Sequence, residues 1–381
     1  MHLHFQHQKA VSPIVPHVVF AGGDRNGNLF PGVAVADALR RLQPHVQVTF
    51  AGRGTHSERR EVHAAGFAYH GLPCPPGFVS WNGLWKHWRS YWQAVRQARQ
   101  FLQQTGATVV VGLGGLSSLP IARAATGTGI ALALLEQNAV PGKVTQKLSS
   151  AASLVCLSFA ASRHRLAAAR RVRITGGAVQ MARLKAGAEQ PRGSRILITG
   201  GTQGAKYLNH AVPRALYKVG RLVQNWQIVH QAGPKHVVAT RELYRKFSLP
   251  AHVVPFLDDL PSWFSRSDLV VSRAGGATLS ELAMTGVPAV LVPESLHAED
   301  CERVNARCYT QAGAAITVDP NDHGSRLDDE LGMRLVPLLD DQSLRIAMGR
   351  SMAHLAFPQA ASDAAYAILE LIGAQPLADV A

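Results

Sequence analysis

The sequence is poor in cysteine and in long hydrophobic runs, and both shortages narrow its class. Its 381 residues include only four cysteines, at positions 74, 156, 301 and 308, and no two of them form a C-x-x-C pair. So few cysteines exclude a disulfide framework and show no zinc-binding spacing, which favours a reducing compartment. No run approaches the roughly 18 apolar residues that span a bilayer, and residues 1–9 lack the apolar core of a signal peptide. We therefore expect a chain that does not cross a membrane.

Acidic residues are also in short supply. The chain has 39 lysines and arginines against 25 aspartates and glutamates, a formal net charge of +14. Such a surplus indicates an anionic partner, which could be a nucleic acid, lipid headgroups or a phosphorylated substrate. We do not expect nucleic acid, because the basic residues are scattered and no recognition motif is present.

What the chain has in abundance is short runs of valine, isoleucine and leucine, which alternate with longer amphipathic stretches. This alternation predicts the α/β class, with parallel sheets. The length exceeds one compact core, so we expect two Rossmann-like, doubly wound domains facing each other across a cleft. The predicted strands are 17–23, 46–52, 108–115, 131–136 and 154–159 in the first half, and 195–201, 227–231, 252–256, 269–272, 289–293 and 315–318 in the second.

Domain boundaries are predicted from a change in composition. Residues 185–194 are polar, contain two glycines and a proline, and have no apolar period, which is typical of a linker. The other predicted parts are an N-terminal extension (1–16), a first domain (17–184), a second domain (195–355) and a C-terminal helix (356–381) that packs back on the first domain.

Three predicted strands end in glycine-rich turns, at residues 22–28, 200–205 and 274–278, and each turn precedes an amphipathic helix. The amides and dipole of a helix N-terminus attract anions, so these turns are candidates for phosphate binding. None is a Walker loop, because no Gly-Lys-Ser/Thr follows. Alternatively, the glycines only allow close packing of helix on strand, but three turns at corresponding strand ends favour a phosphate site.

Glu281 lies one turn inside the helix that follows the third of these turns. A carboxylate there can accept two hydrogen bonds from a ribose diol while the helix amides hold a diphosphate. The pattern indicates a site for a nucleoside diphosphate. The alternative is that Glu281 only complements its helix dipole.

These motifs and their order resemble the MurG family of GT-B glycosyltransferases, and the match covers about residues 18–373. The shared segments are 22–32, 111–115, 136–138, 200–209, 256–259, 273–288 and 305–306. The resemblance implies that the C-terminal domain holds UDP-N-acetylglucosamine and the N-terminal domain receives an undecaprenyl-diphospho-muramyl-peptide. It further implies inverting transfer of N-acetylglucosamine in peptidoglycan synthesis, without a metal or other cofactor, by a peripheral protein on the cytoplasmic face of the inner membrane.

The resemblance also assigns roles to residues in the matching motifs. Leu257 would contact uracil through its backbone, Glu281 the ribose, and Asn138 the sugar. The whole donor-binding set comprises Asn138, Gln180, Thr202, Gln203, Leu257, Gly276, Ala277, Thr278, Leu279, Ser280, Glu281 and Glu302. The set for the acceptor diphosphate and its loop comprises Gly23, Asn26, Gly27, Gly114 and Gly115.

Several polar positions depart from the family pattern. The first loop normally reads Gly-Gly-Thr-Gly-Gly-His, but this chain has one extra residue there, and Asn28 stands at the histidine position. The histidine before Glu-Gln-Asn is Leu135, and the segment Asn-Pro-Val-Arg appears as Gly-Ala-Val-Gln, which ends at Gln180. Glu302 stands three residues before Asn-Ala, where the family has glutamine.

The altered first loop leaves the catalytic base open. Asparagine cannot act as a base near neutral pH, so Asn28 cannot replace the histidine in that role. Asp24, in the inserted loop, is the candidate we prefer. The alternative is that Asp24 only forms the turn, because Asp-x-Asn-Gly is favourable turn chemistry.

Four of the six tryptophans lie in one short segment. Trp81, Trp85, Trp88 and Trp92 follow helical spacing, and Lys86 and Arg89 lie beside them. This combination predicts an interfacial helix, with indoles at headgroup depth and cations near anionic lipid. The alternative is a stripe that packs on the sheet as core. The resemblance favours the membrane.

Two other functions stay open from the sequence. One is a divergent, non-catalytic UDP-sugar-binding protein at the membrane, because the altered polar positions could abolish transfer. The other is a transferase of the same fold with a different acceptor, or a UDP-sugar epimerase. Measuring UDP-N-acetylglucosamine binding together with sugar transfer separates the enzyme from the non-catalytic protein, because the non-catalytic protein would bind the donor without transferring the sugar.

Overall fold

The computed structural model describes residues 15–23, 26–73, 84–188, 194–294 and 301–374. The strands in these ranges are β1 (His17–Ala21), β2 (Gln47–Gly52), β3 (Ala68–Gly71), β4 (Val109–Gly112), β5 (Ala131–Glu136), β6 (Leu154–Leu157), β7 (Val172–Ile174), β8 (Arg195–Thr199), β9 (Gln227–Gln231), β10 (Ala251–Val254), β11 (Leu269–Ser272), β12 (Ala289–Leu291) and β13 (Ala315–Thr317). The helices are α1 (Asn26–Leu42), α2 (His56–Ala64), α3 (Leu84–Gln104), α4 (Ser118–Gly127), α5 (Lys143–Leu148), α6 (Met181–Ala188), α7 (Lys206–Val219), α8 (Val237–Lys246), α9 (Leu260–Ser265), α10 (Gly276–Thr285), α11 (Cys301–Gln311), α12 (Pro320–His323), α13 (Leu327–Asp340), α14 (Gln342–Ala353) and α15 (Ala360–Leu371).

The strands form two sheets, one in each half of the chain. The first has the order β3-β2-β1-β4-β5-β6-β7 and the second β10-β9-β8-β11-β12-β13. All strand pairs are parallel. In each sheet the order reverses beside the first strand, between β1 and β4 and between β8 and β11. This is the doubly wound arrangement, whose ligands bind at the carboxyl ends of the strands beside the reversal. The predicted α/β fold with two Rossmann-like sheets is confirmed.

The central strands are apolar on both sides because helices cover both faces of each sheet. In β1, Val18 and Phe20 join the core that includes α1, whereas Val19 and Ala21 join the core that includes α3 and α4. Successive side chains of a strand point to opposite faces, so a five-residue apolar run serves both cores.

Two short edge strands of the first sheet were not predicted from the sequence. They are β3 and β7, whose residues are half-buried or exposed. Edge strands are covered on fewer sides than central ones, so β3 (AYHG) and β7 (VRI) lack the continuous apolar run on which the strand predictions depended.

The last described helix, α15, lies against α1. Ala364, Ala365 and Ile368 belong to the same buried cluster as Leu39 of α1. Glu370 accepts a hydrogen bond from Arg173 at 2.8 Å and another from Arg171, both next to β7 or within it. The chain therefore returns to the first sheet after completing the second one.

The segment predicted as a linker, 185–194, begins within a helix, because α6 runs to Ala188. Residues 189–193 lie outside the described ranges. The division of the chain at this segment stays a prediction.

Candidate active site

The turns after β1 and β4 meet beside the reversal of the first sheet. Gly22 and Gly114 have φ angles of 104° and 79°. A Cβ atom on Gly22 would lie 2.5 Å from the carbonyl oxygen of Gly114, so no larger residue fits. Glycine at these positions thus brings the first loop and the 114–115 turn together.

The predicted acceptor and catalytic residues lie on these two turns, as far as the structure describes them. Asn28 is half-buried, and its amide nitrogen lies 3.6 Å from the position that a Cβ atom on Gly114 would take. Gly23 and Gly115 both adopt positive φ, at 103° and 80°. Asp24 lies outside the described residues, and so do the side-chain surroundings of Asn26 and Gly27 at the start of α1.

Glu136 holds the loop that follows β5. Its Oε1 accepts hydrogen bonds from the backbone nitrogen of Asn138 at 3.0 Å and from its Nδ2 at 3.2 Å. Its Oε2 accepts from the backbone nitrogen of Gly142 at 3.0 Å. These three hydrogen bonds fix the loop and the side chain of Asn138 relative to β5.

Asn305 of α11 joins this loop to the second half of the chain. Its Nδ2 donates to Oδ1 of Asn138 at 3.1 Å and to the carbonyl of Ala274 at 3.0 Å, and its Oδ1 accepts from the nitrogen of Ala139 at 2.8 Å. Asn305 is fully buried. The two halves of the chain touch here, because a Cβ atom on Gly276 would lie 1.8 Å from the carbonyl oxygen of Gln137.

The turn after β8 needs glycine for its shape. A Cβ atom on Gly204 would lie 1.9 Å from the carbonyl oxygen of Ala232. Thr202 is half-buried and Gln203 is exposed. Both predicted donor ligands are therefore accessible on this turn, at the N-terminus of α7.

Gln231, at the end of β9, connects this turn to the loop 256–259. Its Nε2 donates to the carbonyl of Gly201 at 2.8 Å, and its Oε1 accepts from the backbone nitrogen of Leu257 at 3.0 Å. The N–H of Leu257 is therefore engaged. While that hydrogen bond stands, the predicted backbone contact between Leu257 and uracil is restricted to the carbonyl oxygen of Leu257.

The helix α10 begins at the third glycine-rich turn and presents its first turn to the cleft. Gly276 is buried beside Gln137, whereas Ala277, Thr278 and Glu281 are half-buried. Ser280 donates its hydroxyl hydrogen bond to the carbonyl of Gly276 at 3.0 Å.

Leu279 is the exception among the predicted donor ligands. Its side chain is fully buried in the core of the second sheet. Its N–H donates to the carbonyl of Gly275 at 3.0 Å, and its own carbonyl accepts from the hydroxyl of Tyr309 at 3.1 Å. The side chain, the N–H and the carbonyl of Leu279 are therefore all engaged within the protein. Its spacing along the helix turns the side chain toward the sheet.

Burial raises the pKa of Glu281 to about 8; nearby Arg183 lowers it and Asp259 raises it. Within the described part of the chain, no group donates a hydrogen bond to this carboxylate. With this pKa the unliganded group is mostly protonated near neutral pH, and hydrogen bonds donated by a ligand would favour its ionised form.

Glu302 and Gln180 are two further predicted donor contacts whose side chains already have protein partners. Arg273 forms ion pairs with Glu302 and, at 2.8 Å, with Glu294. Oε2 of Glu302 also accepts from the backbone nitrogen of Glu294 at 2.8 Å. Oε1 of Gln180 accepts from Nη1 of Arg183 at 3.3 Å. A direct donor contact by Glu302 would have to compete with this ion pair.

Along the described part of α3, exposed residues come first and buried residues follow. Trp92 is 43% exposed and Arg89 and Arg96 are exposed, whereas Ala98 and Leu102 are buried against the first sheet. Trp81 and the side-chain surroundings of Trp85, Lys86 and Trp88 lie outside the described residues. No helix in the described ranges is long and apolar enough to cross a membrane.

The described residues contain no group of three or more histidine, cysteine, aspartate or glutamate side chains placed to hold a metal ion. What they bring together is two parallel sheets, glycine-rich turns at the strand ends beside both reversals, and an unpartnered carboxylate on α10. These features define a GT-B architecture, with its cleft between two Rossmann-like sheets.

Comparison with known proteins gives the family. Residues 18–156 match the model of the glycosyltransferase family 28 N-terminal domain, and residues 195–347 match that of its C-terminal domain. The chain belongs to glycosyltransferase family 28 and, within it, to the MurG family.

Two relatives illustrate this membership, and one more distant structure shares only the fold. An Acidithiobacillus ferrooxidans protein, named UDP-N-acetylglucosamine--N-acetylmuramyl-(pentapeptide) pyrophosphoryl-undecaprenol N-acetylglucosamine transferase, is 36% identical over 93% of this chain and 98% of its own length. The crystal structure of MurG from Acinetobacter baumannii is 28% identical, with a TM-score of 0.71, over 93% of this chain and 99% of that one. A UDP-N-acetylglucosamine 2-epimerase structure from Listeria monocytogenes, described as putative, is 14% identical with a TM-score of 0.69 over 96% of this chain and all of that one, which shows a shared fold alone.

Proposed function

We propose that this protein transfers N-acetylglucosamine from UDP-N-acetylglucosamine to an undecaprenyl-diphospho-muramyl-peptide, with inversion and without a metal or other cofactor, in peptidoglycan synthesis. The names of its relatives support this substrate pair. The observation that carries the proposal in this chain is Glu281, a half-buried carboxyl group to which no described residue donates a hydrogen bond and which a donor can ionise on binding. A ribose diol has the two hydroxyl donors that such a carboxylate accepts.

The arrangement of turns supports a donor and an acceptor on opposite sides of the cleft. Thr202 and the first turn of α10 offer hydroxyl and amide donors to a diphosphate on one side. Asn28 and the glycines of the 114–115 turn lie on the other. Asn138 lies between them, held by Glu136 and Asn305, so its amide is fixed where a sugar would bridge the two halves.

We retain Asp24 as the proposed acceptor of the proton of the attacking hydroxyl. The acceptor oxygen would attack the anomeric carbon as the UDP leaves from the opposite face, which inverts that carbon. A carboxylate in the first loop would receive the proton as the new bond forms. Asp24→Asn should therefore lower kcat without weakening UDP binding, and unchanged turnover would eliminate this role.

The domain division and the membrane location are also proposals. Residues 17–184 would bind the acceptor, and 195–355 the donor. The exposed Trp92, Arg89 and Arg96 of α3 support a peripheral location at an anionic membrane surface, which we place on the cytoplasmic face of the inner membrane.

The deciding experiment measures transfer from labelled UDP-N-acetylglucosamine to a short-chain lipid-diphospho-muramyl-peptide, beside donor binding by calorimetry. We expect a glycosylated lipid product that disappears with Glu281→Ala. Donor binding without transfer would instead support the non-catalytic alternative. Conversion of the free donor to a 2-epimer without acceptor would support epimerase activity.

A further inference from the structure

The described glycine-rich turns offer a diphosphate hydrogen-bond donors but no full positive charge. Their amides and hydroxyls carry only partial charges, and Gln180, where the family pattern has arginine, is neutral. Arg273 is close to α10, but two carboxylates, Glu294 and Glu302, already neutralise it. Arg273 is therefore not a free positive charge for a donor in this cleft.

Arg183 lies on the segment that passes along the first half of α10. This segment begins at Gly177, where a Cβ atom would lie 1.9 Å from the hydroxyl oxygen of Ser280. Three residues after Gln180, Arg183 is close enough to Glu281 to lower its pKa. Gln180 directly precedes α6, and the hydrogen bond from Nη1 of Arg183 to its Oε1 shows that the two side chains lie side by side.

The guanidinium of Arg183 is positioned but not saturated. Nε donates to Oδ1 of Asp259 at 3.1 Å, one Nη donates to Oε1 of Gln180 at 3.3 Å, and the other Nη donates to the carbonyl of Asp258. The ring of Phe30 lies 5.3 Å from its central carbon. A guanidinium has five N–H groups, so two of them have no partner among the described residues. The side chain is 25% exposed, so a ligand can reach it.

We propose that Arg183 is the cation that binds the donor diphosphate. Arg183 lies three residues after Gln180 and would supply the positive charge that Gln180 lacks. This inference rests on the proposed function, because it assumes a uridine diphosphate in the cleft. Arg183 would contact one phosphate with its two remaining N–H groups, as planar guanidinium groups commonly do. Asp259 and the carbonyl of Asp258 would hold the guanidinium in place.

The test compares binding of UDP and of uridine to wild type, Arg183→Gln and Asp259→Asn by calorimetry, with melting temperatures recorded. Arg183→Gln should weaken UDP about 10- to 150-fold, the loss of a charge-assisted contact, and change uridine less than about threefold. Asp259→Asn removes only the ion pair, so it should leave UDP affinity equal or higher. Arg245→Gln, which removes an exposed arginine of α8 outside the site, is the matched control and should have less than about threefold effect.

A second arm restores the charge at the neighbouring position. The double variant Gln180→Arg with Arg183→Gln should bind UDP at least tenfold more tightly than Arg183→Gln alone. No recovery would contradict the idea that Arg183 supplies the charge missing at position 180. The proposal would be overturned if Arg183→Gln weakened the affinities for UDP and for uridine equally and Asp259→Asn had the same effect. Arg183 would then only fix the loop 256–259. If Arg183→Gln does not fold, Arg183→Lys replaces it, and unchanged UDP affinity there would also count against a bidentate contact. Failure of wild type to bind UDP would instead refute the proposed function.

Discussion

Replacement of Glu281 by glutamine should stabilise the unliganded protein at alkaline pH while it weakens donor binding. Burial raises the pKa of this carboxyl to about 8 in the folded chain, above its ordinary value of 4.5. Between these two values the unfolded chain has released the proton and the folded chain retains it. Stability therefore falls as pH rises from about 4.5 to about 8, and glutamine, which does not ionise, removes this loss.

The size of the effect follows from the two pKa values. A rise from 4.5 to about 8 corresponds to at most about 5 kcal/mol of lost stability at pH 8. Because Glu281 is only half-buried, solvent screens part of this cost, and we expect a gain of about 1 to 3 kcal/mol. For a domain of this size that gain raises the melting temperature by about 2 to 10 °C.

The assay is thermal unfolding of wild type and Glu281→Gln at pH 5 and pH 8, with UDP-N-acetylglucosamine affinity measured at pH 8. The stabilisation should be largest at pH 8 and mostly absent at pH 5, and donor affinity should fall about tenfold or more. Glu242→Gln, which changes an exposed glutamate of α8, is the control and should alter neither quantity. A variant that melts at the wild-type temperature at pH 8, or gains equally at both pH values, would refute the reasoning.

Three further predictions concern the contacts around the site. Asn305→Ala leaves three polar groups without their partner, two of them buried, so it should cost about 2 to 4 kcal/mol in denaturant unfolding, and a loss under 1 kcal/mol would contradict this. Gln231→Leu should raise the KM for the donor more than it lowers kcat, because it frees two donor loops from each other, and steady-state kinetics that show only a kcat effect would contradict it. Trp92→Ser combined with Arg89→Gln should reduce binding to anionic vesicles in a sedimentation assay without lowering the melting temperature. Tyr217→Ser, at an exposed position on α7, is the control and should leave vesicle binding unchanged.

The sequence was sufficient for the fold class and for the positions of the three glycine-rich turns. Apolar runs of parallel strands and glycine-rich turns are local signals, so both sheets and the three turns could be located without any tertiary information. Glu281 was also predictable, because its spacing from Gly276 fixes it on the first turns of α10. Its role toward a ribose stays a prediction.

The residues that connect the turns could not be found in this way. Gln231 and Asn305 act through hydrogen bonds to positions 26 to 167 residues away along the chain. Arg183 meets Asp259 across 76 residues. No periodicity or local motif encodes such distances, and only the packing of two sheets brings these side chains together. The segment 305–306 was noticed as a motif, but its contact with Asn138 depends on how the two halves meet.

The length of α3 is compatible with both interpretations of the tryptophan helix, contact with a membrane and packing on the sheet. The 21 residues of α3 extend about 31 Å, whereas the four residues of β4, the strand that follows, extend about 13 Å. The sheet can therefore cover only part of α3, and its C-terminal half, with Ala98 and Leu102, is the covered part. A helix that leads into a parallel strand runs antiparallel to it, so α3 begins on the side of the sheet where the strands end, and Trp92 is exposed toward that end of the helix. That edge also carries the turns at Gly22 and Gly114, so a membrane surface that contacts Trp92 would present a lipid-linked acceptor on the same side as the predicted acceptor loop.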